Sequence, residues 1–136
     1  MTNYLLDTNV ISEVRRQRPH GALLAWLGAQ QERQLFLSAV TIGELQAGAE
    51  KTRLQDAHKA AEIDLWIELL IATYQVLPMD ASCFREWGRI KHGKPDHLLE
   101  DAMIAATARV HGLVVATRNE RDFVQFNVRV ANPFRV

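Results

Sequence analysis

The sequence predicts an α/β fold with a mostly parallel, buried central sheet. Three observations predict it. Short apolar runs at residues 3–6, 35–38, 75–78, 113–116 and 128–130 alternate with longer segments of helical character, the pattern of strands joined by crossover helices. The runs at 35–38 and 113–116 lack polar alternation, as strands covered on both faces do. The 136 residues carry no repeat, no low-complexity tract and no Ser/Gly/Pro linker, so residues 1–136 are read as one domain.

The elements follow in order. Residues 3–6 read as a buried strand closed by Asp7. Thr8-Asn9 predicts the cap of a short helix through Arg16. Pro19 suits the first turn of a second helix carrying Leu23, Leu24 and Leu27. Leu35-Phe36-Leu37-Ser38 is the second strand, and Thr41 opens a helix that carries Leu45 and ends near Gly48. Residues 54–74 form the longest helical pattern, with Ile63, Trp66, Ile67, Leu70 and Ile71 at helical spacing. A third strand covers 75–78. Asp80 then caps a helix with Phe84, Trp87 and Ile90 on one face, and residues 93–96 form a loop. Residues 97–111 are an alanine-rich helix stopped by Gly112, and strands at 113–116 and 128–130 complete the chain.

Composition narrows the function classes. Hydrophobic residues make up 48% and charged residues 24%, which excludes a disordered or collagen-like chain. One cysteine, Cys83, excludes an internal disulfide or cysteine zinc cluster and suits a reducing, cytoplasmic setting. The first residues lack a basic n-region and reach Asp7 at once, unlike a signal peptide. Glu68 interrupts the most apolar stretch, so no membrane helix is expected. Sixteen basic residues balance sixteen acidic ones. That argues against coating nucleic acid by bulk attraction alone, and moves the question to where the charges sit.

The acids at element ends are the informative ones. Asp7 ends the first strand, Glu44 lies in the helix after the second, and Asp122 follows the 113–116 strand. In an open parallel sheet these places share the ligand-binding edge. Asp101 joins them if its helix crosses that edge. It sits among Leu98, Leu99, Ala102, Met103, Ile104, Ala105 and Ala106, where a partly buried carboxylate needs a partner. Clustered carboxylates raise one another's pKa, and a hard divalent cation such as Mg²⁺ or Mn²⁺ relieves the repulsion. Each acid alone also reads as a turn, cap or solvent-facing residue.

Four segments together resemble the PIN-domain family, specifically the VapC-like toxins of bacterial toxin–antitoxin modules. They are Leu5-Leu6-Asp7-Thr8-Asn9-Val10-Ile11, Leu37-Ser38-Ala39-Val40-Thr41-Ile42-Gly43-Glu44-Leu45, Asp101-Ala102-Met103-Ile104-Ala105-Ala106-Thr107-Ala108 and Thr117-Arg118-Asn119-Glu120-Arg121-Asp122-Phe123. Asn132-Pro133-Phe134 is similar to the FitB-like branch. The resemblance implies a Rossmann-like α/β/α sandwich and a Mg²⁺- or Mn²⁺-dependent endoribonuclease that hydrolyses RNA phosphodiesters with metal-activated water. It places the metal ligands at Asp7, Glu44, Asp101 and Asp122. Thr117, Asn119 and Asn9 would orient them. Glu100 adjoins Asp101, but successive helical residues point about 100° apart, so Glu100 is read as peripheral.

RNA approaching an acidic centre needs a basic rim. The candidates are Arg15, Arg16, Arg89, Lys91, Lys94, Arg118 and Arg121, with His92 and His97 beside the same loop. The resemblance also implies a cognate VapB-like antitoxin and a homodimer. Val10, Ile11 and Val14 with the apolar face around Leu54 are the expected antitoxin groove. The Trp66/Leu70 and Phe84/Trp87 stripes are expected core, with a dimer face as the alternative. Two other classes compete. A metal-dependent phosphatase would want Asp-x-Asp, where this chain has Asp7-Thr8-Asn9. A non-catalytic or regulatory metal-binding α/β module would not need to cleave RNA.

Overall fold

Leu5 and Leu6 point to opposite faces of their strand, and each enters a different apolar cluster. This alternation turns a three-residue strand into the middle of a sandwich. The computed structural model describes residues 1–135, the side chain of His97 excepted. Its elements are β1 (Tyr4–Leu6), α1 (Thr8–Val14), α2 (Gly21–Ala29), β2 (Leu35–Ser38), α3 (Ala39–Arg53), α4 (Ala57–Thr73) and β3 (Gln75–Leu77). Then come α5 (Ala81–Lys91), α6 (Leu99–His111), β4 (Val114–Ala116), α7 (Glu120–Val124) and β5 (Val130–Ala131). Short 3₁₀ turns cover Glu32–Gln34 and Asp96–Leu98.

The sheet has five strands in the order β3-β2-β1-β4-β5, and every pairing is parallel. The chain moves outward from β1 through β2 to β3, then returns to β4 on the other side of β1. The strand order therefore reverses between β1 and β4, and a crevice opens beyond their carboxyl ends. Register sets Leu6 opposite Ala116, so Asp7 and Thr117 leave the sheet side by side. The backbone N–H of Asp7 donates to the Ala116 carbonyl at 2.9 Å.

One face of the sheet is covered by α1 to α4, with Leu6, Ile11, Leu23, Leu37, Leu45 and Ile67 among the buried residues. The other face carries α5, α6 and α7, with Leu5, Ile104, Ala105, Val115, Phe123 and Phe126. The alanines of α6 let it lie close to its neighbours; Ala102, Ala105, Ala106 and Ala108 are all buried. Helix α7 has five residues and is too short to persist alone. Fully buried Phe123 anchors it, and with it Asp122.

Several boundaries differ from the sequence reading for physical reasons. Asp7, rather than Thr8 or Asn9, caps α1, its side chain accepting from the Thr8 N–H. Helix α2 begins at Gly21, after Pro19. Helix α3 passes through Gly48 to Arg53, because burial of Ala49 between helices outweighs the ~1 kcal/mol helical cost of glycine. Helix α6 starts at Leu99, after the 3₁₀ turn, and ends at Gly112 with φ +68°, a conformation glycine adopts freely. Helix α4 keeps Ile67 and Leu70 buried, but Ile71 is exposed. Leu70 is thus core and Trp66 half-buried, while Phe84 on the other stripe is exposed. No helix among the described residues is long and apolar enough to cross a membrane.

Candidate active site

Asp7 stands at the carboxyl end of the central strand and is 3% exposed. Its Oδ1 accepts the Thr8 N–H at 2.8 Å and its Oδ2 accepts the Thr117 hydroxyl at 2.8 Å. Thr117 is itself fully buried, and its oxygen accepts the Asn119 N–H at 2.9 Å. One chain of contacts therefore runs from β1 to the start of α7. Each oxygen of Asp7 has one partner here and keeps lone-pair capacity for another.

The remaining acids arrive from separate elements. Glu44 comes from α3, and its Oε1 accepts the Thr8 hydroxyl at 2.7 Å. Asp101 lies in the first turn of α6 and Asp122 in the first turn of α7. Their mutual influence is electrostatic. Burial lifts the Asp7 carboxyl above the ordinary range against the pull of Thr117 and Thr8, and the Asp122 charge adds to the lift. Partial burial also raises Glu44; the Thr8 hydrogen bond opposes it, and the Asp7 and Glu100 charges reinforce it. Asp101 is pushed up to about 6, first by burial and then by Asp7, Asp122, Glu44 and Glu100. Four acids predicted from sequence thus lie within one another's fields. Glu100, read as peripheral, acts on two of them.

The donor set is all oxygen and strongly anionic, which suits a hard divalent cation. Among the described residues, no three His, Cys, Asp or Glu side chains converge as a ready-made cage. Uncompensated like charges favour separation, so an ion would have to draw the carboxylates together. The residues fit such an ion by chemistry and placement.

The supporting residues divide. Thr117 holds Asp7 directly. Asn119 contributes through its backbone N–H. Asn9 Oδ1 accepts the Arg118 N–H at 3.5 Å, which ties α1 to the β4–α7 loop rather than to an acid. Two residues were missed as site residues: Thr8, read only as a cap, and Thr41, read only as a helix start. The oxygens of their hydroxyls lie 2.9 Å apart.

The basic candidates also divide. Arg16 pairs with Glu13 at 3.2 Å and Arg89 with Glu86 at 2.8 Å. Lys91 pairs with Asp96 at 2.8 Å. Lys91 and Lys94, with Trp87, His92 and Gly93, line a cavity of about 330 Å³ at the turn that leads into α6. Arg118 lies over the Phe134 ring, 3.9 Å from its centre, and Arg121 is exposed. Arg15 lies 5.7 Å from the Trp66 ring centre. The side chain of His97 lies outside the described residues.

A second groove of about 330 Å³ runs beside Glu44, lined by Thr8, Ser12, Arg15, Leu45, Ala49 and Trp66 among others. This corrects the expected groove. Val10 and Ile11 are buried against the sheet, and Leu54 is 87% exposed. Helix α1 turns its polar side, Thr8, Ser12 and Arg15, to the groove because its apolar side is needed by the core.

A parallel α/β sandwich with acids gathered at its switch point defines a class, and comparison with known proteins assigns it: residues 4–128 match the PIN domain. The chain belongs to the PIN-domain family. It is 36% identical over 135 residues to VapC ribonuclease Y4jK of Sinorhizobium fredii, across 96% of both chains. It is 34% identical over 139 residues to Toxin FitB of Neisseria gonorrhoeae, across 96% of this chain and 97% of that one. The crystal structure of FitAcB from Neisseria gonorrhoeae superposes with a TM-score of 0.87 at 34% identity, covering 98% of this chain and 99% of that chain. PIN-domain VapC nucleases are in general divalent-metal dependent.

Proposed function

We propose that this chain is the endoribonuclease toxin of a toxin–antitoxin module, acting in the cytoplasm and dependent on Mg²⁺ or Mn²⁺. The observation that carries the reading is the placement of four acids at the end of β1 and on α3, α6 and α7, near enough for burial and like charge to raise Asp7, Glu44 and Asp101. Asp7, Glu44, Asp101 and Asp122 would hold the ion. When bound, it supplies Lewis-acid polarisation of the phosphodiester and acidifies water for in-line attack.

The chain's own residues do the rest. Thr117 and the Thr8 N–H fix the rotamer of Asp7, as residues around metal ligands commonly do. No hydroxyl nucleophile is required. Ser38 is fully buried and its oxygen accepts the Val40 N–H as the cap of α3. Arg15, Lys91, Lys94, Arg118 and Arg121 are the rim residues proposed to meet RNA phosphates, with Arg16 and Arg89 weaker members because Glu13 and Glu86 already hold them. A VapB-like antitoxin is the protein partner, and the groove beside Glu44 is its proposed seat. A homodimer is proposed as the working unit, to be measured by light scattering.

The test is cleavage of RNA by purified protein with Mg²⁺ or Mn²⁺, compared with EDTA and with Asp7→Asn and Asp101→Asn. Cleavage that needs metal and is lost in both variants is expected. Unchanged cleavage by Asp101→Asn would remove the site assignment. Metal binding without cleavage of any RNA would favour the non-catalytic module.

A further inference from the structure

Thr8 touches two like-charged groups at once. Its backbone N–H donates to Asp7 Oδ1 at 2.8 Å and its hydroxyl donates to Glu44 Oε1 at 2.7 Å. The two acids come from sequence positions 37 apart, on β1's end and on α3. Their charges oppose approach, and one residue holds a donor toward each.

The third contact sets the direction of the hydroxyl. Thr8 has one hydroxyl proton, and a carboxylate can only accept. With that proton on Glu44, the 2.9 Å contact between Thr8 Oγ1 and Thr41 Oγ1 requires Thr41 to be the donor. Thr41 is fully buried, one helical turn before Glu44 on α3. It cannot turn its hydroxyl to water instead. A valine there would keep the shape and remove this buried donor from the Thr8 oxygen.

We propose that Thr41 and Thr8 form a directed hydroxyl relay, Thr41 to Thr8 to Glu44, that positions Glu44 relative to Asp7 for binding a divalent cation. Both are positioning residues, acting through the carboxylates rather than on substrate. The relay occupies Glu44 Oε1 and restrains the carboxylate's rotamer. The inference rests on the reading of the four acids as a cation site.

The experiment is Mn²⁺ binding to the full chain by calorimetry, without RNA. Removing such an outer contact lowers metal affinity by about 10–100-fold, so Thr8→Val and Thr41→Val are each expected to weaken Mn²⁺ about tenfold or more. Thr8→Ser and Thr41→Ser, which keep the hydroxyl, are expected to stay within about threefold of wild type, below that range. Thr8 lies at the rim of the site and is only half-buried, so Thr8→Val carries the test even if Thr41→Val fails to fold. Wild-type-like affinity in Thr8→Val would overturn the relay while leaving the cation site intact. Equal weakening by valine and serine would also overturn it, since shape rather than the hydroxyl would then be at work. Absence of Mn²⁺ binding by wild type would overturn the relay and the cation site together.

Discussion

The acids at the sheet's carboxyl edge and the acids on the helical flanks have opposite surroundings. On the flank, Glu50 and Asp64 share Arg53 at 2.8 Å each, and Glu86 is held by both Arg89 and Arg109. The Arg53 and Gln46 hydrogen bonds lower Glu50 to about 2. At the edge, Asp101 faces four other acids and rises to about 6. The same residue types therefore report two purposes. Those flank acids are neutralised by arginines, whereas among the described residues the edge acids have no such partner. The proposed cation would answer that deficit at the ligand-binding edge.

Asp101→Asn should break the comparison most. Replacing this proposed metal ligand is expected to reduce metal-dependent RNA cleavage by roughly a hundredfold or more, since even outer contacts cost about 10–100-fold. A gel assay of RNA cleavage measures it. Glu86→Gln, the flank counterpart, is expected to leave cleavage within about twofold, well below that range.

Stability without metal should move the other way. Folded Asp101 keeps its proton up to about pH 6, whereas the unfolded chain releases it in the ordinary carboxylate range. Between those limits the folded state binds more protons, so its stability falls as pH rises toward 6 and stays lower above it. Asp101→Asn is expected to stabilise the metal-free protein at pH 7 by on the order of 1–2 kcal/mol, discounted from the full shift for partial exposure. Thermal melts in EDTA at pH 5 and pH 7 measure both trends. Saturating Mn²⁺ should raise the wild-type melting temperature and do so less in the variant. A lower melting temperature for Asp101→Asn in EDTA would contradict the clustering of acids.

The flank substitutions have smaller expected effects. Glu86→Gln removes charge-assisted bonds to two arginines and should destabilise by about 1 kcal/mol by urea titration. Glu50→Gln should change stability least, because its pair is exposed to solvent and screened by salt.

Much of this was legible in sequence where the information is local. The apolar runs gave the strands nearly in place. Asp80 and Gly112 marked helix ends because a cap or a left-handed residue acts within its own turn. The four acids were selected by their positions at element ends and by resemblance to a family, and Thr117 by the resemblance alone. Gly48 misled because the burial of Ala49 beside it outweighs a local preference. Val10 and Ile11 misled as groove residues because an apolar face alone does not say whether it meets the sheet or a partner.

The sequence alone determined the α/β alternation, the single basic–acidic balance and the candidate acids, since these depend on residue type and short spacing. Only the tertiary structure decided which charges meet. Thr117 reaches Asp7 across 110 positions and Thr8 reaches Glu44 across 36. Arg53 reaches Asp64 and Arg109 reaches Glu86 from a different helix. Hydrogen bonds and charge interactions act over a few ångströms of space, and chain folding alone sets which residues lie within that distance. The zero net charge is the total; the separation into arginine-paired flank acids and an edge of mutually repelling acids is a property of the fold.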